Sequence, residues 1–319
     1  MKVLSLGYAV CDWITANFRS PTDETKPFVL TREQARTIIL WYSLDPLGRF
    51  VYRRALVMGP KGHGKSPLAA LVALAEFGGA PVLPDGSDAR GRPVGRPWGT
   101  GDAPSAWVQI AAVSEDQANS NVYQVAWELL SAADGAPADS LRIDLGRSRL
   151  FLRDSPGAKL EAVTSNWGAR EGQRLSFAVA DEVHHWRPAN GGQRLARTLR
   201  RNASKVGGRI LECANAFELG SESVAEGTTA DYESGAPGIL LVANKPSETP
   251  TPDMDNATLL KLLREVYGDS YWVPLERILE EIRDPGTPFE ESLRFFFNVP
   301  ASDMAAAIDP ERWNELAQS

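Results

Sequence analysis

Apolar and polar positions along this chain switch between two periods, and the switches lay out strands alternating with helices. Short, mostly apolar runs at Arg54–Met58, Trp107–Val113, Leu175–Ala180, Arg209–Cys213 and Gly238–Val242 predict strands buried in a sheet. Between them, helical segments are predicted at 28–42, 67–77, about 115–130 and about 193–203. The first of these has Thr31 as N-cap with Gln34 three residues later, as a capping box requires. Residues 141–153 and 159–165 alternate and predict a hairpin around Ser155-Pro156-Gly157. The stretch 78–106 is rich in Gly, Pro and Asp, shows no period, and predicts a long surface insertion without elements of its own. From about Pro246 the chain turns charged and helical, at 257–267, 275–283 and 289–298. No internal repeat is visible. This order predicts an α/β fold with a mostly parallel sheet covered by helices.

The strand at Arg54–Met58 runs into Gly59-Pro60-Lys61-Gly62-His63-Gly64-Lys65-Ser66, which matches the phosphate-binding pattern G-x-x-x-x-G-K-[ST] at every fixed position. The context decides its meaning. A strand ends, glycines let backbone N–H groups turn inward, and a helix starts with its positive dipole end facing the same space. Lys65 is placed to reach the β- and γ-phosphates of ATP, and the Ser66 hydroxyl to bind Mg2+. Pro67 suits a first helical turn.

Hydrolysis needs a second element. Leu175–Ala180 supplies it as an apolar strand ending in Asp181-Glu182, 116 residues after Lys65. Asp181 is expected to hold Mg2+ through water, and Glu182 to orient and deprotonate the attacking water. His184 and His185 follow. Adjacent rings are expected to point to different faces, and no Cys or third His joins them, so they read as a pair that packs or orients Glu182 and not as a metal site. Just beyond lies a basic cluster of Arg194, Arg197, Arg200, Arg201 and Lys205. Arg194, Arg197 and Arg201 share one helical face, either a solvated surface or a stripe that tracks DNA phosphates.

Composition narrows the picture little further. The chain has 319 residues, 43% hydrophobic and 24% charged, which allows one large α/β domain with a smaller appendage. A net charge of −7 excludes a surface that is basic all over, though not a local groove for nucleic acid. The two cysteines, Cys11 and Cys213, make neither a disulfide framework nor a metal motif. No apolar run approaches the ~20 residues a bilayer span needs, and Met1 to Ile14 lacks the features of a signal peptide. A cytosolic protein without membrane contact is expected.

Taken in order, these residues resemble the ATPase domain of the large terminase subunit of tailed bacteriophages, the motor that pumps DNA into a procapsid. The resemblance rests on Phe28-Val-Leu-Thr-Arg-Glu-Gln34, on the phosphate loop with its basic Lys61, and on Val113-Ser-Glu-Asp-Gln-Ala118. It rests also on Ala180-Asp-Glu-Val-His-His-Trp186 and on Leu211-Glu-Cys-Ala-Asn-Ala216. It implies a P-loop NTPase of the RecA-like (ASCE) kind, with a core at 1–237, a small helical lid at 238–303 and the start of a linker at 304–319.

It also implies roles. Gln34 would read the adenine edge, its alternative being the helix cap alone. Lys61 would touch the γ-phosphate, and Ala214-Asn215 would sense it and couple hydrolysis to movement. Arg170, in Gly168-Ala-Arg-Glu-Gly172, would act on the ATP of a neighbouring subunit, with Arg174 as its rival. The implied partners are double-stranded DNA, a portal protein, a small terminase subunit and further copies of the chain in a ring, a pentamer by resemblance, in the cytoplasm of an infected bacterium. Whether the isolated chain is a monomer stays open. Nothing after Tyr267 offers the clustered strand-end carboxylates of the family's nuclease, since Asp303 and Asp309 stand in helical or linker context, so a motor half alone is expected. A DNA remodeller of related architecture and an ATP-binding scaffold without turnover are the competing readings.

Overall fold

The computed structural model describes residues 3–21, 23–113, 122–164 and 172–302. The chain opens with α1 (Gly7–Asn17), the short pair β1 (Arg19–Ser20) and β2 (Asp23–Pro27), and α2 (Arg32–Trp41). The capping box of α2 is present: Thr31 Oγ1 accepts from Gln34 N, and Gln34 Oε1 accepts from Thr31 N. Then come β3 (Arg54–Met58), α3 (Lys65–Phe77), β4 (Leu83–Ser87), β5 (Pro93–Arg96), β6 (Trp107–Ala112) and α4 (Val122–Ser140). The middle of the chain forms β7 (Ile143–Leu145), β8 (Arg149–Leu152), β9 (Ser155–Thr164), β10 (Phe177–Ala180), α5 (Gly192–Ser204) and β11 (Arg209–Ala214). It closes with α6 (Val224–Glu233), β12 (Ile239–Ala243), α7 (Asn256–Tyr267), α8 (Leu275–Ile282) and α9 (Phe289–Phe295).

Eight strands form one sheet in the order β12-β3-β11-β10-β6-β9-β8-β7. Six of them, β12 through β9, run parallel, and β8 and β7 add an antiparallel edge. Every residue of β3, β10 and β11 is buried, as expected where helices cover both faces of a parallel sheet. Alternation along β3 shows the two layers. Ala55 and Val57 point into a core shared with α1, α2, α3 and α4, whereas Leu56 and Met58 face α5 and α6. Helix α3 is apolar all round and buried from Leu68 to Phe77, which suits the element that follows the phosphate loop across the sheet centre. A third core of Leu259, Leu262, Leu263, Tyr267, Ile282 and Phe297 holds the C-terminal helices together.

The sheet order places β11 between the phosphate-loop strand β3 and the Asp181 strand β10. All three strands end on the same edge, because they are parallel and in register: Ala214 pairs with Met58, and Ala180 with Glu212. Ligands of open parallel sheets bind at that edge.

Some expectations need correction. The 78–106 stretch is not featureless, since β4 and β5 pair antiparallel and Ala80, Val82 and Ala106 are buried. Its pairing rests on backbone hydrogen bonds between Pro- and Gly-containing strands, which leave no apolar alternation to read. The hairpin at 149–164 turns at Arg153-Asp154; Ser155-Pro156-Gly157 starts the returning strand, where the register breaks between Phe151 and Leu152. Helix α4 runs past Leu130 to Ser140, but is broken at Ala132–Gly135. Strand β12 pairs with β3 from Ile239 to Ala243, one residue along from the strand expected at Gly238–Val242. Helix α1 went unread in the sequence.

One buried ion pair ties α2, α3 and β11 together beneath the sheet. Arg209 Nη2 lies 3.0 Å from Glu76 Oε1, and its guanidinium stacks over Phe50, Trp41 and Tyr42. Glu76 also accepts from Tyr42 Oη at 2.8 Å and Trp98 Nε1 at 2.9 Å. Burial raises the Glu76 pKa, against the pull of Arg209 and these donors. Truncating one partner strands the other charge in the core, at about 3–5 kcal/mol. Arg209→Ala is therefore expected to lower unfolding free energy by that amount in urea titrations. A loss below about 1 kcal/mol would mean the pair is structurally idle.

Candidate functional site

The site is built at the ends of β3, β10 and β11. After Met58 the chain enters the phosphate loop, whose Gly59 N–H donates to Ala214 O at 3.1 Å and so fixes the loop's start to β11. Gly62 (φ +83°) and Gly64 (φ +96°) adopt the left-handed conformation that side chains disfavour. Gly64 is the N-cap of α3 and brings no side-chain cap, so the first helical N–H groups remain free to face an anion. Pro67, in the first turn, removes a donor that would have had no helical partner.

Lys65 is buried, at 8% exposure, and its ammonium is fully engaged. It donates to Gly59 O and Pro60 O, both at 2.8 Å, and to Asn215 Oδ1 at 2.7 Å. Burial lowers its pKa to about 8, while the Glu182 and Asp181 carboxylates and Cys213 pull it back up. The phosphate loop, the acidic strand tip and Asn215 therefore meet around one cation.

Asp181 is buried at the tip of β10, and its Oδ1 accepts from Glu182 N at 3.0 Å. Glu182 takes φ +55°, unusual outside glycine, which turns its carboxylate from the strand toward the cavity. Trp186, buried on the next turn, holds that bend by donating Nε1–H to Asp181 O at 2.8 Å. The two histidines do not point to different faces. Their rings stack with centroids 4.0 Å apart, and Nε2 of His184 and of His185 lie 3.4 and 3.9 Å from Glu182 Oε2. The tight turn at Val183–His185 that follows Glu182 brings both rings to one side.

Of these residues, Lys65, Glu182, His185 and Asn215 line a cavity of about 1100 Å³. Its polar lining includes Lys61, Lys65, Ser66, Glu182 and Asn215 with Gly62 and Gly64; its apolar lining includes Phe28, Tyr271, Trp272 and Phe296. Gln34 lines the cavity too, but its Oε1 is engaged in the helix cap. Its capping role is thus observed, and only the amide NH2 is left to read a base. Ser66 and Asp181 offer hydroxyl and carboxylate oxygens at the same sheet edge, a donor set that suits Mg2+. Gly59 and Pro60 contribute carbonyls to Lys65 and do not line the cavity. His63 turns its ring away to Glu33, 3.6 Å off, and burial lowers its pKa to about 4.

Residues of the C-terminal segment cover the loop. Tyr267 Oη donates to Lys61 O at 2.9 Å, Ser270 Oγ to His63 O at 3.1 Å, and Trp272 Nε1 to Gly62 O at 2.9 Å. Lys61 N donates to Phe295 O at 2.7 Å. Asn298 Nδ2 closes the seam on Met58 O at 3.0 Å and Asn244 O at 2.8 Å. The C-terminal segment therefore grips the phosphate loop by its backbone. Tyr271-Trp272 stand in a stretch without helical period, so only their aromatic character could have drawn notice.

Arg194, Arg197 and Arg201 are exposed along α5, and Lys205 is exposed beyond it. Arg200 differs, since it turns inward to Glu212 Oε1 at 2.6 Å and Thr228 Oγ1 at 3.2 Å. Arg174 is exposed and does not line the cavity. Arg170, most of the Val113–Ala118 motif, Asp303 and Asp309 lie outside the described residues. Among those described, no helix is long and apolar enough to cross a membrane.

No family model matches the chain. It is 29% identical over 358 residues to the Gene 13 protein of Mycobacterium phage D29, and 29% over 357 residues to that of Mycobacterium phage L5. These alignments cover 98% and 97% of this chain but 58% of each relative, so the chain spans little more than half their length. Among solved structures, the large terminase of bacteriophage HK97 superposes with a TM-score of 0.66 at 16% identity, over 93% of this chain and 55% of that one. The large terminase ATPase domain of Thermus phage P74-26 gives 0.50 at 14% identity, over 85% and 94%. The fold is that of these terminase ATPase domains, an eight-stranded, mostly parallel P-loop sheet.

A Cβ on Gly64 would lie 2.8 Å from Trp272 Cζ2, and the residue's φ of +96° adds backbone strain. Gly64→Ala is thus expected to weaken binding of a fluorescent ATP analogue by more than about tenfold, which is about 1.4 kcal/mol, with little change in far-UV circular dichroism. Unchanged affinity would show that the cavity is not where nucleotide binds.

Proposed function

We propose that this chain is the ATP-hydrolysing motor part of a viral terminase large subunit, using Mg2+-ATP to drive double-stranded DNA into a procapsid. The observation that carries the reading is the convergence of Lys65, Glu182 and Asn215 on one cavity beside the phosphate loop. The relatives from mycobacteriophages and the terminase folds support it.

In this reading the γ-phosphate lies beside Lys65 and Glu182, and the base lies against the Phe28–Gln34 segment. The Lys65 ammonium exchanges its loop carbonyls and Asn215 for phosphate oxygens. Lys61 adds a second positive charge, and the N–H groups at the start of α3 face the same anion. Ser66 and, through water, Asp181 would hold Mg2+, which neutralises phosphate charge when bound. Glu182 takes a proton from water as its oxygen attacks the γ-phosphorus, and the bond to the ADP oxygen breaks. Gln34 donates its amide to the base. Asn215 senses the γ-phosphate through Lys65 and passes the change to the DNA-gripping part.

The wider assignments belong to the same proposal. Arg170 acts in trans on the ATP of the next subunit, where a guanidinium is worth about 10³–10⁵ in rate. Arg194, Arg197 and Arg201 contact DNA phosphates without reading sequence, as a motor requires. The motor works as a ring with a portal protein and a small terminase subunit in the infected cell. Its activity in this reading is ATP-driven translocation of DNA.

Steady-state phosphate release tests the catalytic core. Lys65→Ala is expected to abolish turnover, and Glu182→Ala to lower it by about 10²–10⁴-fold while nucleotide still binds. Equal, negligible release from wild type and Glu182→Ala would instead favour an ATP-binding scaffold. Mixing Arg170→Ala chains with Glu182→Ala chains is expected to restore part of the activity in assemblies, because each supplies what the other lacks. No rescue in a demonstrably mixed ring would remove Arg170 from the trans role.

A further inference from the structure

Three contacts run in series from the phosphate loop to Glu182, the first two of them buried. Lys65 Nζ donates to Asn215 Oδ1 at 2.7 Å. The backbone N–H of Asn215 donates to His184 Nδ1 at 3.2 Å. His184 Nε2 then lies 3.4 Å from Glu182 Oε2. His184 and Asn215 are 5% and 6% exposed, so water does not compete for these groups.

The middle contact decides the chemistry. A ring nitrogen that accepts a hydrogen bond must keep its lone pair, so the proton of a neutral His184 sits on Nε2. Burial, with His185, Lys65, Arg294 and Arg187 nearby, lowers the ring's pKa to about 2 and keeps it neutral. Nε2–H has no acceptor at good hydrogen-bond geometry among the described residues, and the Glu182 carboxylate is the charged oxygen beside it. Such a contact is often long before substrate binds and shortens in the working complex. The same tautomer argues against a metal. Glu182, His184 and His185 bring ligand atoms within 4.8 Å of one another, but a protonated Nε2 has no lone pair to give a cation.

We infer that His184 is a positioning residue for Glu182, a rigid link that carries the position of the Asn215 backbone, at the end of β11, to the carboxylate at the end of β10. The inference rests on the proposed ATPase reading and deepens it. A change at Lys65 moves Asn215, and His184 transmits that shift to Glu182 without titrating.

Two isosteres separate the ends of the link. In His184→Gln the amide nitrogen stands near the place of Nε2 and keeps a donor to Glu182. In His184→Asn the side chain can accept from Asn215 N–H but cannot reach Glu182. His184→Asn is expected to lower kcat for ATP by about 10–100-fold, the usual loss when a positioning partner is removed, with KM and analogue affinity unchanged within about twofold. His184→Gln, which keeps a donor to Glu182 but offers no acceptor to Asn215 N–H, is expected to recover only part of kcat. Glu182→Ala combined with His184→Asn is expected to be no slower than Glu182→Ala alone, because a residue acting through Glu182 has nothing left to position.

Long-range proton–nitrogen NMR of the full chain, which has three histidines, reads the tautomer without any turnover. The expected result is Nε2–H at His184. An Nδ1–H tautomer, full kcat in His184→Asn, or a further loss in the double variant would overturn the inference. A wild type that binds but never hydrolyses ATP would instead overturn the proposed function, and the tautomer would still decide this one.

Discussion

A buried ammonium holds this site together. Lys65 sits at the first turn of α3 with three N–H donors and finds three oxygens: two carbonyls of its own loop and the Asn215 side chain. An unpaired ammonium at that depth would be expensive, so the loop curls back on the lysine and β11 is bound to β3 through it. The arrangement is also what makes the site responsive. The three acceptors are neutral, so the anionic oxygens of a triphosphate are the stronger partners. A ligand that takes an N–H of Lys65 must displace at least one of these three acceptors.

That exchange is felt on two sides. Toward β10, Asn215 touches the turn that carries Glu182, whose φ of +55° is held by Trp186 and the Asp181 carboxylate. Toward the C-terminal helices, the carbonyls of Lys61, Gly62 and His63 are held by Tyr267, Trp272 and Ser270. The phosphate loop is therefore clamped between the sheet and the C-terminal segment, and a shift of the loop is passed to both. Asp269 extends the clamp to α2 by accepting from Glu33 N at 2.8 Å, so the Phe28–Gln34 segment at the base end belongs to the same unit.

Much of this was legible before any coordinates. Apolar runs placed β3, β6, β10 and β11 within a residue or two, since strands buried on both faces need uninterrupted apolar side chains. Chemistry placed Lys65, Ser66, Asp181 and Glu182, because a phosphate loop and a strand-end acidic pair are local patterns. Contacts between distant segments were not legible. Trp272 on Gly62, Asn298 on Met58 and His184 on Asn215 join residues separated by 31 to 240 positions and leave no period in the sequence. The β4–β5 pair escaped for a different reason, as its Pro- and Gly-containing strands carry no apolar alternation. Gln34 was legible in one role, and the structure shows that the capping role occupies half its side chain.

The account stands most directly on where a triphosphate binds. A crystal structure of the chain with Mg2+ and a non-hydrolysable ATP analogue would settle it. The account predicts Lys65 Nζ drawn off Asn215 Oδ1 onto phosphate oxygens, with Ser66 and Asp181 around the cation and the base beside Gln34 and Trp272. An analogue bound elsewhere, with Lys65 still hydrogen-bonded to Asn215, would contradict it.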